Sequence, residues 1–328
     1  MKKMLLFLPV LLLCLLDHAQ TLPVMRQADR IRIHEAELIN RRYGNQIWKG
    51  MSKVPFTVLL VTDSCEYLIN PVKPPREFAA SGYDSLLKTT VYTRKPVYDK
   101  HLLATFPAVD GQTCVVIGTP ENTGLSSTPW IITLLHEHFH HYTYNDEDYF
   151  KDVKKLKLAG SDTTGMWMLN YRFPYDSVPV IKQYAKFSKA LYETVKALES
   201  DSFELVLLSY AKARTAFRKM LKSNDYKYFS FQVWQEGVAR YTEYKYLEMM
   251  EHYRPTNQLL ALPDYLSFND YRDQIYKQEL NKLLHFRLNG ERRICFYSVG
   301  FAEAILLDNL NQNWRKSYLK QKFYMEKY

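Results

Sequence analysis

The chain lacks the features that would place it in several familiar classes. Its 328 residues include 4 cysteines. No two of them form a Cys-x-x-Cys pair, so thiolates are not set out as zinc ligands. Beyond the first twenty residues no stretch offers about 18 consecutive apolar side chains, which excludes an ordinary membrane-spanning helix. The formal net charge is +9, yet lysines and arginines are scattered over what read as helix faces. There is no dense basic stripe and no nucleic-acid motif, so no nucleic-acid partner is expected. Internal repeats and low-complexity linkers are also missing.

The first residues read as a secretory leader over 1–19. Lys2 and Lys3 form a basic start, and Met4 to Leu16 is an apolar run too short to span a bilayer. Cleavage after Ala19 would leave Gln20 first and place the mature chain outside the cell or in the periplasm. That chain is long enough for a sizeable core in two lobes. Of its cysteines, Cys65 and Cys114 sit on or beside expected strands and are the couple to pair in an oxidising compartment. Three separate thiols, with Cys295, are the alternative.

The most informative stretch is Trp130-Ile131-Ile132-Thr133-Leu134-Leu135-His136-Glu137-His138-Phe139-His140. It reads as a helix with Thr128 as N-cap and Pro129 as its first residue. On a helix, His136 and His140 project from one face, close enough for both to reach one zinc ion. Glu137 lies about 100° round from His136 and suits a general base acting on water at that ion. A solvated helical face is the plainer reading. The apolar lead-in argues against it, because a buried His-Glu-His set without a partner is costly. His138 points to the far side of the helix. His141, four after Glu137, either assists it or packs.

A metal site needs a third protein ligand. One candidate is Glu236, on an expected helix from about Phe231 to Tyr253. There Gly237 and Ala239 are small enough for close packing against the histidine helix. Glu243, two turns on, is either an acceptor for a ligating histidine or a solvated carboxylate. Arg240 would hold Glu236, hold a substrate carboxylate, or form a surface ion pair. The other candidate is Asp146, six after His140. That spacing is similar to the metzincin pattern HExxHxxGxxH, but Thr143 stands where the turn-forming glycine is required.

HExxH followed by Trp234-Gln235-Glu236-Gly237-Val238-Ala239-Arg240-Tyr241 resembles the gluzincin zinc metallopeptidases, in particular the peptidase MA-like branch. The resemblance implies that His136, His140 and Glu236 hold one zinc per chain, with Glu137 as the base. A further likeness is Tyr297-Ser298-Val299-Gly300, similar to a Tyr-x-x-Gly segment opening a late helix in such proteins. It makes Tyr297 a candidate donor to the oxyanion of the reaction. Tyr241 and His285 are lesser candidates.

The elements expected along the chain fit that frame. A helix is read over 24–49 and a buried strand at Phe56 to Thr62. Tyr67 to Ile69 and Leu86 to Thr93 are further strand candidates. A hairpin is read around Asp110-Gly111, with Leu102 to Val109 and Gln112 to Gly118 as its arms. Pro107 suggests an edge position for the first arm. By resemblance, the second arm (Cys114 to Ile117) would lie along the cleft and bind extended peptide by backbone pairing. Helices follow at Val180 to Leu198, Phe203 to Leu221, 269–287 and 298–312. The expected fold class is therefore α+β and zincin-like. A small N-terminal mixed β-sheet lobe (20–145) ends in the HExxH helix, and a mainly helical lobe (146–328) carries Glu236. The expected activity is zinc-dependent hydrolysis of a peptide or protein substrate. The alternatives are a metzincin-like site using Asp146, a secreted binding protein with a structural metal, and an accidental motif.

Overall fold

The computed structural model describes residues 23–328, so the leader expected over 1–19 lies outside the described residues. Six strands form one mixed sheet. They are β1 (Val58–Val61), β2 (Glu66–Ile69), β3 (Ala79–Asp84), β4 (Thr89–Arg94), β5 (Leu103–Val109) and β6 (Gln112–Gly118), in the order β3-β4-β2-β1-β6-β5. Only β1 and β6 run parallel; the other pairs are antiparallel. Helices follow, and the fold is α+β as expected. Among the described residues no helix is long and apolar enough to cross a membrane.

Strand alternation sorts the sheet residues onto two faces. Val58, Leu60, Ile69, Val115 and Ile117 enter the large core shared with the helices. Leu59, Val61, Leu68, Cys114 and Val116 form a smaller core on the other face, with Phe78, Tyr98 and Phe106 packed on it. Cys65 belongs to the first core and Cys114 to the second, and both are free thiols. The expected pairing is therefore corrected: the sheet itself separates the two sulfurs.

The hairpin forms where it is read. Asp110 and Gly111 have φ of 49° and 73°, the left-handed pair a two-residue turn requires. Strand β5 is the sheet edge, as Pro107 suggested, whereas β6 is interior. The edge available for backbone pairing is therefore on β5 rather than on the second arm. Strand β3 was not anticipated. Its Ala-Ala-Ser-Gly-Tyr-Asp sequence has little β preference, and it is held by pairing to β4 through a bulge between Ala80 and Gly82.

Seven helices matter for the site: α1 (Gln27–Ile39), α2 (Ser127–Tyr144), α3 (Val178–Lys196), α4 (Phe203–Met220), α5 (Ser223–Gln232), α6 (Val238–Met249) and α7 (Phe268–His285). An eighth, α8 (Cys295–Leu310), closes the core. Helix α2 carries HExxH and starts at Ser127, not at the expected Pro129. Its first turn is capped from a distance: Asp264 accepts from the Ser127 amide at 2.9 Å and from its hydroxyl at 2.6 Å. Thr128 instead bonds the backbone of Leu266. Helix α2 packs on β5, β6 and α6.

The glutamate helix is a single run interrupted by a π turn. Helices α5 and α6 are joined through Val233–Gly237 in π geometry, so Glu236 sits on the wide turn itself. Such turns are frequent at functional sites. Gly237 does not face the histidine helix, as expected from its size, but α8. A Cβ on Gly237 would lie 2.4 Å from the Gly300 Cα, and one on Gly300 would lie 2.2 Å from the Val233 carbonyl oxygen. The two glycines therefore set how closely α8 approaches the π turn.

Candidate metal centre

Helix α2 places His136, Glu137 and His140 in the interior, and their candidate ligand atoms all lie within 4.8 Å of one another. This buried His-Glu-His group could hold a metal ion. The Nε2 atoms of His136 and His140 face each other at 3.1 Å. The Glu236 Oε2 atom lies 3.7 Å from the first and 3.5 Å from the second. The π turn thus delivers the carboxylate between the two rings from a neighbouring helix. The site opens on that side: the Glu236 side chain keeps 17% exposure, against 7% and 6% for the histidines.

Each imidazole is oriented through its other nitrogen. His136 donates from Nδ1 to Glu243 Oε1 at 2.6 Å, which leaves Nε2 with a free lone pair. Glu243 is 1% exposed, so it is the buried acceptor and not the solvated carboxylate. It also accepts from Arg240 at 2.8 Å, and Arg240 lies 3.7 Å from Glu279, which accepts from Ser298 and Lys282. Arg240 therefore holds Glu243, and not Glu236. His140 Nδ1 lies 3.1 Å from the side-chain amide of Gln235, whose other end meets the Tyr149 hydroxyl at 2.8 Å. The amide nitrogen faces Nδ1 and the amide oxygen accepts from Tyr149, so Nδ1 is the acceptor here; only the reversed amide would let Nδ1 donate and leave Nε2 bare.

Charge and burial oppose each other here. Burial disfavours the His136 imidazolium, but Glu236 and Glu243 outweigh it and push His136 up to about 10. Burial likewise works against the Glu236 carboxylate, yet the charge of His140 and hydrogen bonding from both imidazoles hold it well below the usual range. At neutral pH the raised value leaves His136 protonated on both nitrogens, and a cation bound at Nε2 would displace that second proton.

Glu137 is fixed by a residue of the edge strand. The Thr105 hydroxyl, on β5, lies 2.7 Å from the Glu137 carbonyl and 2.9 Å from its Oε2. His138 and His141 are not part of the site. His138 Nε2 accepts from the Asn40 side-chain amide at 3.1 Å, and its ring packs on Phe56 at 4.7 Å. Burial pushes it down to about 3 and His141 down to about 4, so both stay neutral and pack.

The other sequence candidates divide cleanly. Tyr297 lies beside Glu236; burial and that carboxylate hold its phenol well above the usual range, and Arg293 hydrogen-bonds its hydroxyl. Asp146 is drawn elsewhere, to Lys322 at 2.9 Å. The reason is Thr143: the helix continues through it to Tyr144, with the Thr143 hydroxyl on the His140 carbonyl at 2.9 Å, so the chain makes no sharp turn back toward the histidines. Tyr241 is buried against Asp308 and Arg315, and His285 is exposed at the end of α7.

Sequence reasoning missed Thr105, Gln235 and Arg293. Thr105 and Gln235 carry no periodic signal. Arg293 stood one helical turn before Tyr297, a spacing that was open to notice. Comparison with protein-family descriptions, with curated proteins and with solved structures gives no match to this chain.

Proposed function

We propose that the chain is a zinc-dependent peptidase in which His136, His140 and Glu236 hold the metal and Glu137 is the general base. One observation carries the reading. Three ligand atoms held tetrahedrally at about 2.0–2.1 Å from one ion stand about 3.3–3.4 Å apart. The separations here are 3.1, 3.5 and 3.7 Å. The donor set, two imidazoles and one carboxylate, is the kind that catalytic zinc sites use.

When bound, zinc would polarise a carbonyl oxygen and ease the loss of a proton from water. The rest falls to the chain. Glu137, with Thr105 holding its Oε2, takes the proton of the attacking water and passes it to the leaving amine. Tyr297, beside Glu236, would be the phenol that donates to the developing oxyanion. The edge of β5, on whose strand Thr105 sits, offers unpaired backbone groups to an extended peptide. The basic and apolar start of the chain supports export of the mature form.

The test is metal content of the purified mature chain, whose N-terminus is Gln20 if the leader is removed. Wild type is measured beside Glu236→Ala and Asp146→Ala. The reading expects about one zinc per chain, lost in Glu236→Ala and kept in Asp146→Ala, and hydrolysis of a peptide library that stops in Glu137→Gln. Zinc retained in Glu236→Ala refutes the ligand set. Zinc bound without any hydrolysis favours a structural metal in a binding protein.

A further inference from the structure

Arg293 differs from the other partly buried arginines of this chain. Arg32, Arg94, Arg214, Arg240 and Arg315 each have a carboxylate oxygen at 2.6 to 3.1 Å. Among the described residues Arg293 has no such ion pair. Its one side-chain hydrogen bond is to the Tyr297 hydroxyl. Its other guanidinium nitrogens have no hydrogen-bond partner among the described residues and are not sealed from solvent. The Glu236 carboxylate acts on it only from beyond ion-pair distance, so its free nitrogens are left to meet an added anion.

Its place in the fold says which anion. Tyr297 accepts from Arg293 and is close enough to Glu236 for that carboxylate to act on its phenol. The close approach of α8 through Gly300 and Gly237 puts this pair beside the π turn. The open side of the centre is the Glu236 side, where this side chain keeps more exposure than the histidines. Strain is also stored next door: Arg292 has φ 50° and ψ −127°, a conformation disfavoured for a residue with a side chain.

We propose that Arg293, with Tyr297 beside it, binds a carboxylate of the substrate next to the bond that is cut. This rests on the metal-site reading for what is cut, but not for the binding itself. A planar guanidinium with two free nitrogens matches a carboxylate in a forked pair. The carboxylate is either the free C-terminus of a peptide or an acidic side chain.

The experiment measures binding, so that it reads out whether or not the chain hydrolyses anything. Glu137→Gln protein, metal-free and zinc-loaded, is titrated with three probes: N-acetyl-phenylalanine, its amide, and N-acetyl-glutamic acid α-amide. The same titrations are made with Arg293→Ala and Arg293→Lys added, after both variants are shown to unfold as cooperatively as the parent. The expected result is that one carboxylate probe binds and the neutral amide does not. Arg293→Ala should weaken that binding by about 10- to 100-fold, the loss of one charged hydrogen-bonded pair, with partial recovery in Arg293→Lys. Preference for the first probe identifies a C-terminal carboxylate, and preference for the third an acidic side chain. Equal binding of acid and amide, unchanged affinity in Arg293→Ala, or no binding of either acid overturns the proposal. Failure of the metal reading shows separately, as absence of zinc from the loaded sample.

Discussion

Replacing Gly300 by alanine tests whether the contact between α8 and the π turn sets the geometry of the centre. Two effects compete. Alanine is preferred to glycine within a helix by about 1 kcal/mol. Against this, the added Cβ would stand 2.2 Å from the Val233 carbonyl oxygen and 2.6 Å from the Gly237 Cα. Both obstacles are backbone, so no side-chain rotation relieves them. The helices must part by about 1 Å to reach ordinary contact, and overpacking of this kind costs about 1–3 kcal/mol or more. The overlap is deep and against backbone, which puts the cost at the upper end, so the clash wins with a net loss of about 2 kcal/mol. For a chain of this size that is a fall of roughly 4–8 °C in Tm. Gly290→Ala is the control, because nothing lies within 4 Å of a Cβ there; it should be neutral or slightly stabilising. Thermal unfolding of the two variants beside wild type decides the matter. Gly300→Ala as stable as Gly290→Ala would refute the argument. The same substitution should move Glu236 away from His136 and His140, and so weaken metal binding by at least tenfold for about 1.4 kcal/mol of lost site geometry.

Two further outcomes follow from the groups around the site and from the C-terminal tail. Glu243→Gln keeps the shape of the acceptor at 2.6 Å from His136 Nδ1 but removes its charge and weakens the Arg240 pair. Zinc affinity, measured by competition with a chelator, should fall about 10- to 100-fold; an unchanged affinity would show that His136 does not depend on this partner. The second outcome concerns acid. Burial raises the Glu326 carboxyl, but the charge of Arg214 and the Tyr226 hydroxyl outweigh it and hold it below its ordinary value of 4.5. A folded-state value below the unfolded one means that this stability is present above about pH 4.5 and is lost as the pH falls further. Tm measured from pH 7 to 3 should therefore drop on the acid side in wild type and drop less in Glu326→Gln. Parallel curves for the two proteins would remove Glu326 from the acid response.

The residues that could be assigned from the chain alone are those whose roles are local. Four-residue spacing on a helix is enough to bring His136 and His140 onto one side, because the helix repeat is the same wherever the helix sits. The Asp110-Gly111 hairpin and the edge position marked by Pro107 are likewise set by backbone conformation within a few residues. The α+β class follows from strand-like runs in the first half and helical periodicity in the second. What the tertiary structure decided is which distant groups meet. The carboxylate of Glu236 arrives between the histidines because a π turn widens its helix and Gly237 lets α8 press against it. Glu243 is an acceptor and not a solvated group because α6 packs on α2. Cys65 and Cys114 stay apart because a sheet lies between their faces, and Thr105 reaches Glu137 from an edge strand. These pairings join residues from 32 to 107 positions apart, and no local preference encodes them. They depend on how whole layers stack, and that is settled by burying the shared core.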